Sequence, residues 1–116
     1  MLARVVEFAP NSDAAAQFVE TVEATVLRIV RTQNGCIAAF LQVRGEVIVG
    51  LSFWESTSAA ERYSRSAYTD IVNTLRPMLK CAPKVCMYEV PNFLLPWAQP
   101  WLSLVSRIGK RQPMNG

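Results

Sequence analysis

The sequence predicts a single α+β domain in the ferredoxin-like βαββαβ order, with a four-stranded antiparallel sheet and two helices on one face. Three observations support this fold class. Four short runs of largely apolar residues, rich in valine and aromatic residues, are typical of strands. Two longer stretches between them carry apolar residues at helical spacing. The length of 116 residues suits one domain.

The first half of the chain predicts a strand, a helix and a second strand. Residues 2–8 are rich in valine, and the turn at residues 10–13 leads into a helix over residues 13–32. Gly35 predicts the end of that helix, because glycine adopts the left-handed backbone conformation without strain. Residues 36–43 form the second predicted strand.

A hairpin and the start of a helix follow. Arg44 and Gly45 predict a tight turn into a third strand over residues 46–54. Ser58 and Glu61 have the spacing of a capping box, in which each side chain satisfies a free backbone donor of the other residue. The second helical region is therefore predicted to begin at Ser58.

The second helical region has two interpretations. Ser66 and Thr69 are both able to cap a restart, so two short helices fit as well as one long helix that ends near Pro77. Residues 84–90 predict the fourth strand. The apolar face of the helical region carries Tyr68, Ile71, Val72, Leu75 and Leu79.

Both faces of the predicted sheet are apolar. In the second strand, alternation places Cys36, Ala38 and Phe40 on one face. The two helices cover a single face, so the other face is predicted to pack against a second copy in a homodimer. The alternative is that the end of the chain folds back as the cover. The third strand places Val47, Val49, Leu51 and Phe53 on one face and Ile48, Gly50, Ser52 and Trp54 on the other.

The domain is predicted to span residues 1–92, and residues 93–116 form a C-terminal arm. The arm is expected to hold a short helix followed by a disordered end. Trp97 and Trp101, with basic residues after them, also fit contact with a membrane surface. Packing against the body or the partner subunit is favoured over the membrane, because so short a helix binds lipid weakly.

The charge distribution argues against nucleic acid as a partner. The net charge of +3 lies entirely in the arm, since residues 1–90 hold nine Lys/Arg and nine Asp/Glu. Nucleic-acid binding needs a basic face that replaces the counterions of phosphates. The expected partners are therefore a second copy of the chain and a small aromatic or apolar molecule.

The cysteines and the absence of histidine limit the kinds of disulfide and metal site that the chain can form. The three cysteines form no CxxC pair, which predicts reduced thiols and a cytoplasmic protein. The chain has no histidine, so a Cys–His metal site is excluded and no metal site is predicted. No signal peptide and no membrane-spanning segment are expected.

Residues 47–68, VIVGLSFWESTSAAERYSRSAY, resemble the antibiotic biosynthesis monooxygenase family of the dimeric α+β barrel superfamily. The resemblance rests on a third strand ending in Trp54-Glu55-Ser56, on Gly35-Cys36 before the second strand, and on a last strand ending near Glu89-Val90. It covers residues 1–92. Members of the family differ in activity: some oxidise quinone precursors with oxygen and no cofactor, and others degrade haem.

The resemblance argues against haem degradation. That branch uses a histidine on the second helix as the iron ligand and a nearby tryptophan. Aligned from Trp54, these positions fall at Asn73 and Tyr63 in this sequence. A neutral Asn is a poor axial ligand, so no haem and no other cofactor is expected.

The oxygenase branch implies a set of candidate catalytic residues. Its tryptophan matches Trp54, and its basic residue falls beside Arg76, the nearest arginine. Its tyrosine falls at Ala60, with Tyr63 one turn further. Arg4 and Glu7 lie on opposite faces of the first strand, and whichever faces inward needs a partner. An inward Glu7 would serve as the base.

The predicted function is cofactor-independent oxygenation of a small hydroxyaromatic or quinol-type molecule. Such a reaction needs a base, a group that stabilises an anion, and an apolar pocket. Tyr68, Asn73 and Phe40 are the candidate substrate-binding residues. The alternative is a non-catalytic dimeric module that binds a small ligand or a protein, in which the same aromatic residues only fill the core.

Overall fold

The computed structural model describes residues 1–91, and it has the predicted α+β fold. One antiparallel sheet has the strand order β2-β3-β1-β4, so β1 lies between β3 and β4 as the ferredoxin-like arrangement requires. The predicted strand bounds agree with the observed ones to within one residue. The strands are β1 Leu2–Phe8, β2 Cys36–Arg44, β3 Val47–Trp54 and β4 Lys84–Glu89.

The first predicted helix is one continuous helical region with a π-helical segment in its middle. It opens with a 3-10 turn, Ser12–Ala14, and every junction after α1 keeps helical backbone angles. Apolar spacing predicts the region but not the π segment, because a single wider turn leaves the same residues facing the sheet. Its parts are α1 Ala15–Thr21, the π segment Val22–Val26 and α2 Leu27–Arg31.

The second helical region is two helices, α3 Thr57–Arg65 and α4 Ala67–Leu75, as one of the two interpretations predicts. The break lies at Ser66, whose φ of −120° and ψ of −97° are not helical. A 3-10 turn, Arg76–Met78, follows α4.

The predicted capping box at Ser58 is wrong. The residue that caps α3 is Ser56, whose Oγ accepts a hydrogen bond from the Ala59 backbone N–H at 3.2 Å. Ser56 is the last residue with extended backbone angles after β3, and Ser58 already lies within the helix. An N-cap must have a non-helical backbone, so Ser58 cannot fill the role.

A bulge in β2 changes which side chains share a face. The register with β3 shifts between Cys36 and Ala38. Cys36 therefore packs on the helix side, whereas Ala38 and Phe40 pack on the opposite side. The predicted grouping of these three residues on one face is wrong, because the bulge inserts one residue into the alternation.

Buried apolar residues lie on both sides of the sheet, as predicted. The cluster between the sheet and the helices includes Val6, Phe8, Phe18, Ile48, Trp54 and Leu75. The second-face cluster consists of Ala3, Val5, Val49, Leu51, Phe53 and Val90. None of the helices in residues 1–91 contributes a residue to the second-face cluster. The predictions for residues 93–116 lie outside the described residues, and no described helix is long and apolar enough to cross a membrane.

Candidate active site

A small cavity lies between the helices and the sheet. Its volume is about 40 Å³, which is room for roughly three water molecules. The wall is apolar apart from four residues, Arg4, Ser52, Tyr63 and Tyr68. The apolar wall comes from β1, β2, β3, the π segment, α2 and α4, and includes Val6, Phe8, Val22, Val26, Leu27, Val30, Ala39, Gly50 and Ile71.

Arg4 brings a positive charge to this cavity. It lies on the helix-facing side of β1 and is only 2% exposed. Its Nε donates a hydrogen bond to Ser64 Oγ at 3.1 Å. Its Cζ lies 4.0 Å from the centre of the Tyr68 ring and 5.0 Å from the centre of the Tyr63 ring. Burial lowers the pKa of Arg4 from its usual value, and the two tyrosines oppose that shift.

Tyr63 lines the cavity, and Trp54 packs behind it. Their rings stack with centres 4.9 Å apart, and the Trp54 Nε1 donates a hydrogen bond to Ser52 Oγ at 2.8 Å. Trp54 is completely buried, so it supports the Tyr63 ring. Burial raises the pKa of Tyr63 to about 12. Tyr63 therefore keeps its proton at neutral pH, when its hydroxyl is a donor and a poor base.

The structure brings together Trp54, Tyr63 and Tyr68 among the predicted site residues. Tyr68 is half-buried, and its ring centre lies 5.8 Å from that of Tyr63. Phe40 borders the cavity, but its ring lies edge-on to Phe53, 6.4 Å away, in the second-face cluster. Trp54, Tyr63 and Tyr68 therefore form one contiguous group, and the Phe40 ring lies apart from it.

The other predicted residues lie elsewhere. Arg76 and Asn73 are exposed, and the Arg76 NH2 group donates to Asn73 Oδ1 at 3.0 Å. Neither residue lines the cavity. Glu7 points to the opposite face of the sheet, where it adjoins Lys84 and Cys86. Side chains alternate along β1, so an inward Arg4 requires an outward Glu7.

A surface groove adjoins the cavity. It runs between the first helical region and α4 and has a volume of about 200 Å³. Val26 and Ile71 line both spaces, so these two side chains separate the cavity from the groove. A π-helical turn frequently marks a functional position in a helix, and Val26 ends the π segment.

Residues 1–91 contain no cluster of three or more Cys, Asp or Glu side chains that would hold a metal ion. Cys36, Cys81 and Cys86 form no disulfide with one another, and burial raises the pKa of Cys36. The polar side chains at the cavity wall are those of Arg4, Ser52, Tyr63 and Tyr68.

Residues 1–70 match the sequence profile of the family described as antibiotic biosynthesis monooxygenase. The chain belongs to the antibiotic biosynthesis monooxygenase family. The match covers β1 to α4 and so includes Arg4, Trp54, Tyr63 and Tyr68. Comparison with curated proteins found no match.

Solved structures of other proteins share the fold. Rv0793 from Mycobacterium tuberculosis is 18% identical, with a TM-score of 0.67 over 78% of this chain and 95% of its own. SnoaB from Streptomyces nogalater, a cofactor-independent oxygenase, is 18% identical, with a TM-score of 0.64 over 78% of this chain and 93% of its own. The ActVA-Orf6 monooxygenase from Streptomyces coelicolor, solved with nanaomycin D, is 21% identical, with a TM-score of 0.61 over 78% of this chain and 88% of its own.

The sequence does not select Arg4 as a site residue. Its signal is an arginine in the middle of the valine-rich β1, which forces a choice between Arg4 and Glu7 as the inward charge. Periodicity alone does not make this choice. The structure makes it by burying Arg4 and leaving Glu7 on the other face.

Proposed function

We propose that this family member is a cofactor-independent monooxygenase that oxidises a small hydroxyaromatic or quinol-type molecule beside Arg4. The observation that carries the proposal is the apolar cavity whose polar wall is a buried arginine with two tyrosines. The protein would work as a homodimer packed through the second-face cluster. Membership of a family that includes named monooxygenases supports the proposal.

The reaction needs no added reductant, because the substrate supplies the electrons. An anthrone-type substrate loses a proton to solvent, and its anion gives one electron to O2. The resulting radical and superoxide join in a new C–O bond, and the peroxide anion takes up a proton from solvent to form a hydroperoxide. Loss of water breaks the O–O bond, so the CH2 group becomes a carbonyl. One oxygen atom stays in the quinone product and the other leaves as water.

The cavity would supply two of the requirements, a positive charge and an apolar wall, and solvent would take the proton because no Asp, Glu, Lys or His of residues 1–91 lines the cavity. The developing charges are a substrate oxyanion and superoxide, and a fixed positive charge in an apolar site stabilises both. Arg4 holds that charge in place through Ser64 and the two tyrosine rings. Protonated Tyr63 adds a donor at the same wall.

The small cavity requires movement before an aromatic ring enters. An apolar cavity needs about 150 Å³ to hold benzene, several times the volume present. Displacement of Val26 and Ile71 would join the cavity to the groove of about 200 Å³. We propose this groove as the access route for the substrate.

The same small volume also favours the second candidate, a non-catalytic dimeric module for a small ligand or a protein. In that interpretation Trp54 and Tyr63 fill the space that a substrate would need, and Arg4 is a buried structural charge. The two candidates differ in oxygen consumption, which only the first requires.

Oxygen uptake by metal-stripped protein, measured with a panel of anthrones and hydroquinones, tests the proposal. We expect uptake above the buffer rate with at least one compound. Tyr63→Phe removes the donor and retains the ring stacked on Trp54, so the rate should fall about tenfold or more. Arg65→Met is the matched control, because Arg65 is exposed and does not line the cavity.

Two results would count against the proposal. The first is uptake at the buffer rate with every compound while the protein is folded. The second is uptake that Tyr63→Phe leaves unchanged, which would place the chemistry away from this cavity. The first result moves the assignment to the binding module, and the second retains oxygenation but removes this cavity as its site.

A further inference from the structure

We propose that the C-terminal arm competes with the homodimer for one surface. Residues 93–108 cover the second-face cluster of their own chain when that chain is alone, and a second copy has to displace them in order to dimerise. The inference rests on the proposed function for the dimer surface and is independent of its oxygen chemistry. It concerns the side of the sheet that faces away from the cavity.

The second-face cluster is buried within a single chain. None of its six side chains is more than 5% exposed. Within residues 1–91, the apolar residues that form this cluster or pack against it lie in the strands or directly next to them, so the described residues place no second layer over this face. A sheet face buries its side chains by packing against another layer. The burial therefore points to the rest of the chain as the cover.

Strand β4 shows the same difference between the two sides of the sheet. Its helix-facing side chains Val85 and Met87 are 38% and 41% exposed, although the helices lie on that side. Cys86 and Tyr88 alternate with them and face the side without helices, yet both are half-buried. A cover that extends over the second face as far as this edge strand accounts for the difference.

The chain leaves the sheet at the margin of the second-face cluster. The Val90 N–H donates a hydrogen bond to the Met1 carbonyl oxygen at 2.9 Å, and the Val90 side chain is a buried member of the cluster. The arm therefore begins beside the surface that it is proposed to cover. A short flexible tether gives an attached segment an effective concentration of about a millimolar. A second copy at micromolar concentration has to compete with that segment.

Residues 93–108 have the composition and the length of a covering layer. Arg107 is their only charged residue, and their apolar residues include Phe93, Trp97, Trp101 and Leu104. A sheet of four strands is about 14 Å across, and a strand as long as β1 extends about 23 Å. A segment of this length reaches about 24 Å even as a helix, so it is long enough to span the cluster.

The arm and a second copy cannot occupy the cluster together, because each buries the same side chains. Both subunits have to release their arms before the two sheets meet. The dissociation constant of the dimer therefore contains the closing equilibrium of the arm twice. Weakening the arm should tighten the dimer, which is the opposite of what the loss of an interface residue does.

Sedimentation velocity of the full-length chain, over a dilution series from micromolar to nanomolar concentration, gives the dissociation constant of the dimer. The double variant Trp97→Ser, Trp101→Ser removes the two largest apolar side chains of the covering segment. We expect the dissociation constant to fall about tenfold or more in this variant. Met114→Ser, which lies outside residues 93–108, should match the unmodified protein.

Thiol labelling measures the cover directly in the monomer. Below the dissociation constant, Cys86 should react with a maleimide about tenfold or more faster in the double variant than in the unmodified protein, because the cover opens more often. Cys81 is exposed, so its labelling rate should be equal in the two proteins and provides an internal control. Peptide mass spectrometry separates the two thiols. If the double variant is too unstable to measure, Trp101→Ser alone gives both measurements.

Three results would overturn the proposal. An unchanged dissociation constant would show that the arm does not compete for the dimer surface, and a higher one would place the arm within the interface. Equal labelling of Cys86 in the two proteins would remove the arm as the cover. A chain that stays monomeric in both forms would remove the homodimer of the proposed function and this competition with it. Oxygen uptake enters none of these measurements, so loss of the oxygenase assignment would leave the proposal intact.

Discussion

Tyr63 is the residue at which the site and the stability of the fold are most directly connected. Burial raises its pKa from the ordinary 10.0 to about 12, although the nearby Arg4 opposes the rise. Between these values the unfolded chain has lost a proton that the folded chain retains. Raising the pH therefore favours unfolding, and the stabilisation present below pH 10 is lost between pH 10 and 12.

The higher pKa of Tyr63 in the folded chain predicts a pH-dependent loss of stability that is specific to this residue. Between pH 9 and pH 11 the free energy of unfolding should fall about 1 kcal/mol more in the unmodified protein than in Tyr63→Phe. Urea unfolding curves of both proteins at the two pH values give the free energies of unfolding. The lysines titrate in both proteins and cancel in the comparison. An equal fall in both proteins would show that Tyr63 ionises at its ordinary pH.

Among the candidate site residues, the sequence predicted the three aromatic residues that lie together beside the cavity, but it also included Phe40 and did not select Arg4. Trp54, Tyr63 and Tyr68 follow from the resemblance and from apolar spacing, and they lie together. Arg76 was expected near them because it is the arginine closest to the implied position in sequence. The helical segment ends at Leu75, one residue earlier, and leaves Arg76 exposed at a 3-10 turn. A residue close in sequence to the implied position therefore need not face the cavity when it lies beyond the end of the helix.

Two glycines control how the elements of this half of the fold are joined. Gly35 precedes β2 with φ of +90°, and Gly45 lies in the β2–β3 hairpin with φ of +63°. Both backbones are in the left-handed region that non-glycine residues avoid. They differ in surroundings: a Cβ on Gly35 would lie 2.5 Å from the Cβ of Ala59 in α3, whereas a Cβ on Gly45 would meet nothing within 4 Å.

Replacement by alanine is predicted to destabilise the protein more at Gly35 than at Gly45. Gly45→Ala should cost roughly 1–2 kcal/mol, which is the cost of the left-handed conformation. Gly35→Ala should cost roughly 3 kcal/mol or more, because α3 must also move away from the new methyl group. Chemical denaturation of both variants measures the difference. Equal losses would mean that α3 shifts freely, and Tyr63 would then be held less firmly than its stack on Trp54 indicates.

At the scale of elements, local signals gave the number and order of helices and strands but not every boundary. The sequence located the helix end at Gly35 and the turn at Gly45, because glycine adopts a positive φ without strain. The cap of α3 was misplaced by two residues, because both Ser56 and Ser58 are suitable and only the end of β3 decides between them. The π segment and the β2 bulge have no distinctive composition, and each depends on how the helical region and the sheet fit together.

For the molecule as a whole, the sheet has two apolar faces and the described helices pack on one of them. Alternation along β3 predicted this from the sequence, since Val49, Leu51 and Phe53 alternate with Ile48 and Trp54. The partner of the second-face cluster does not follow from alternation, because a second copy and a segment of the same chain bury equivalent apolar area. Oligomeric state is therefore a question for measurement.

We expect light scattering at micromolar concentration to give about twice the chain mass of 12.9 kDa. Val47 and Val43 provide a matched pair across the hairpin, because Val47 packs on the second-face cluster and Val43 is 58% exposed on the helix-facing side. Val47→Arg should weaken the dimer by placing a charge at an apolar interface, and Val43→Arg should not. A monomer of 12.9 kDa in the unmodified protein would contradict the homodimer and assign the cover of the second-face cluster to the chain itself.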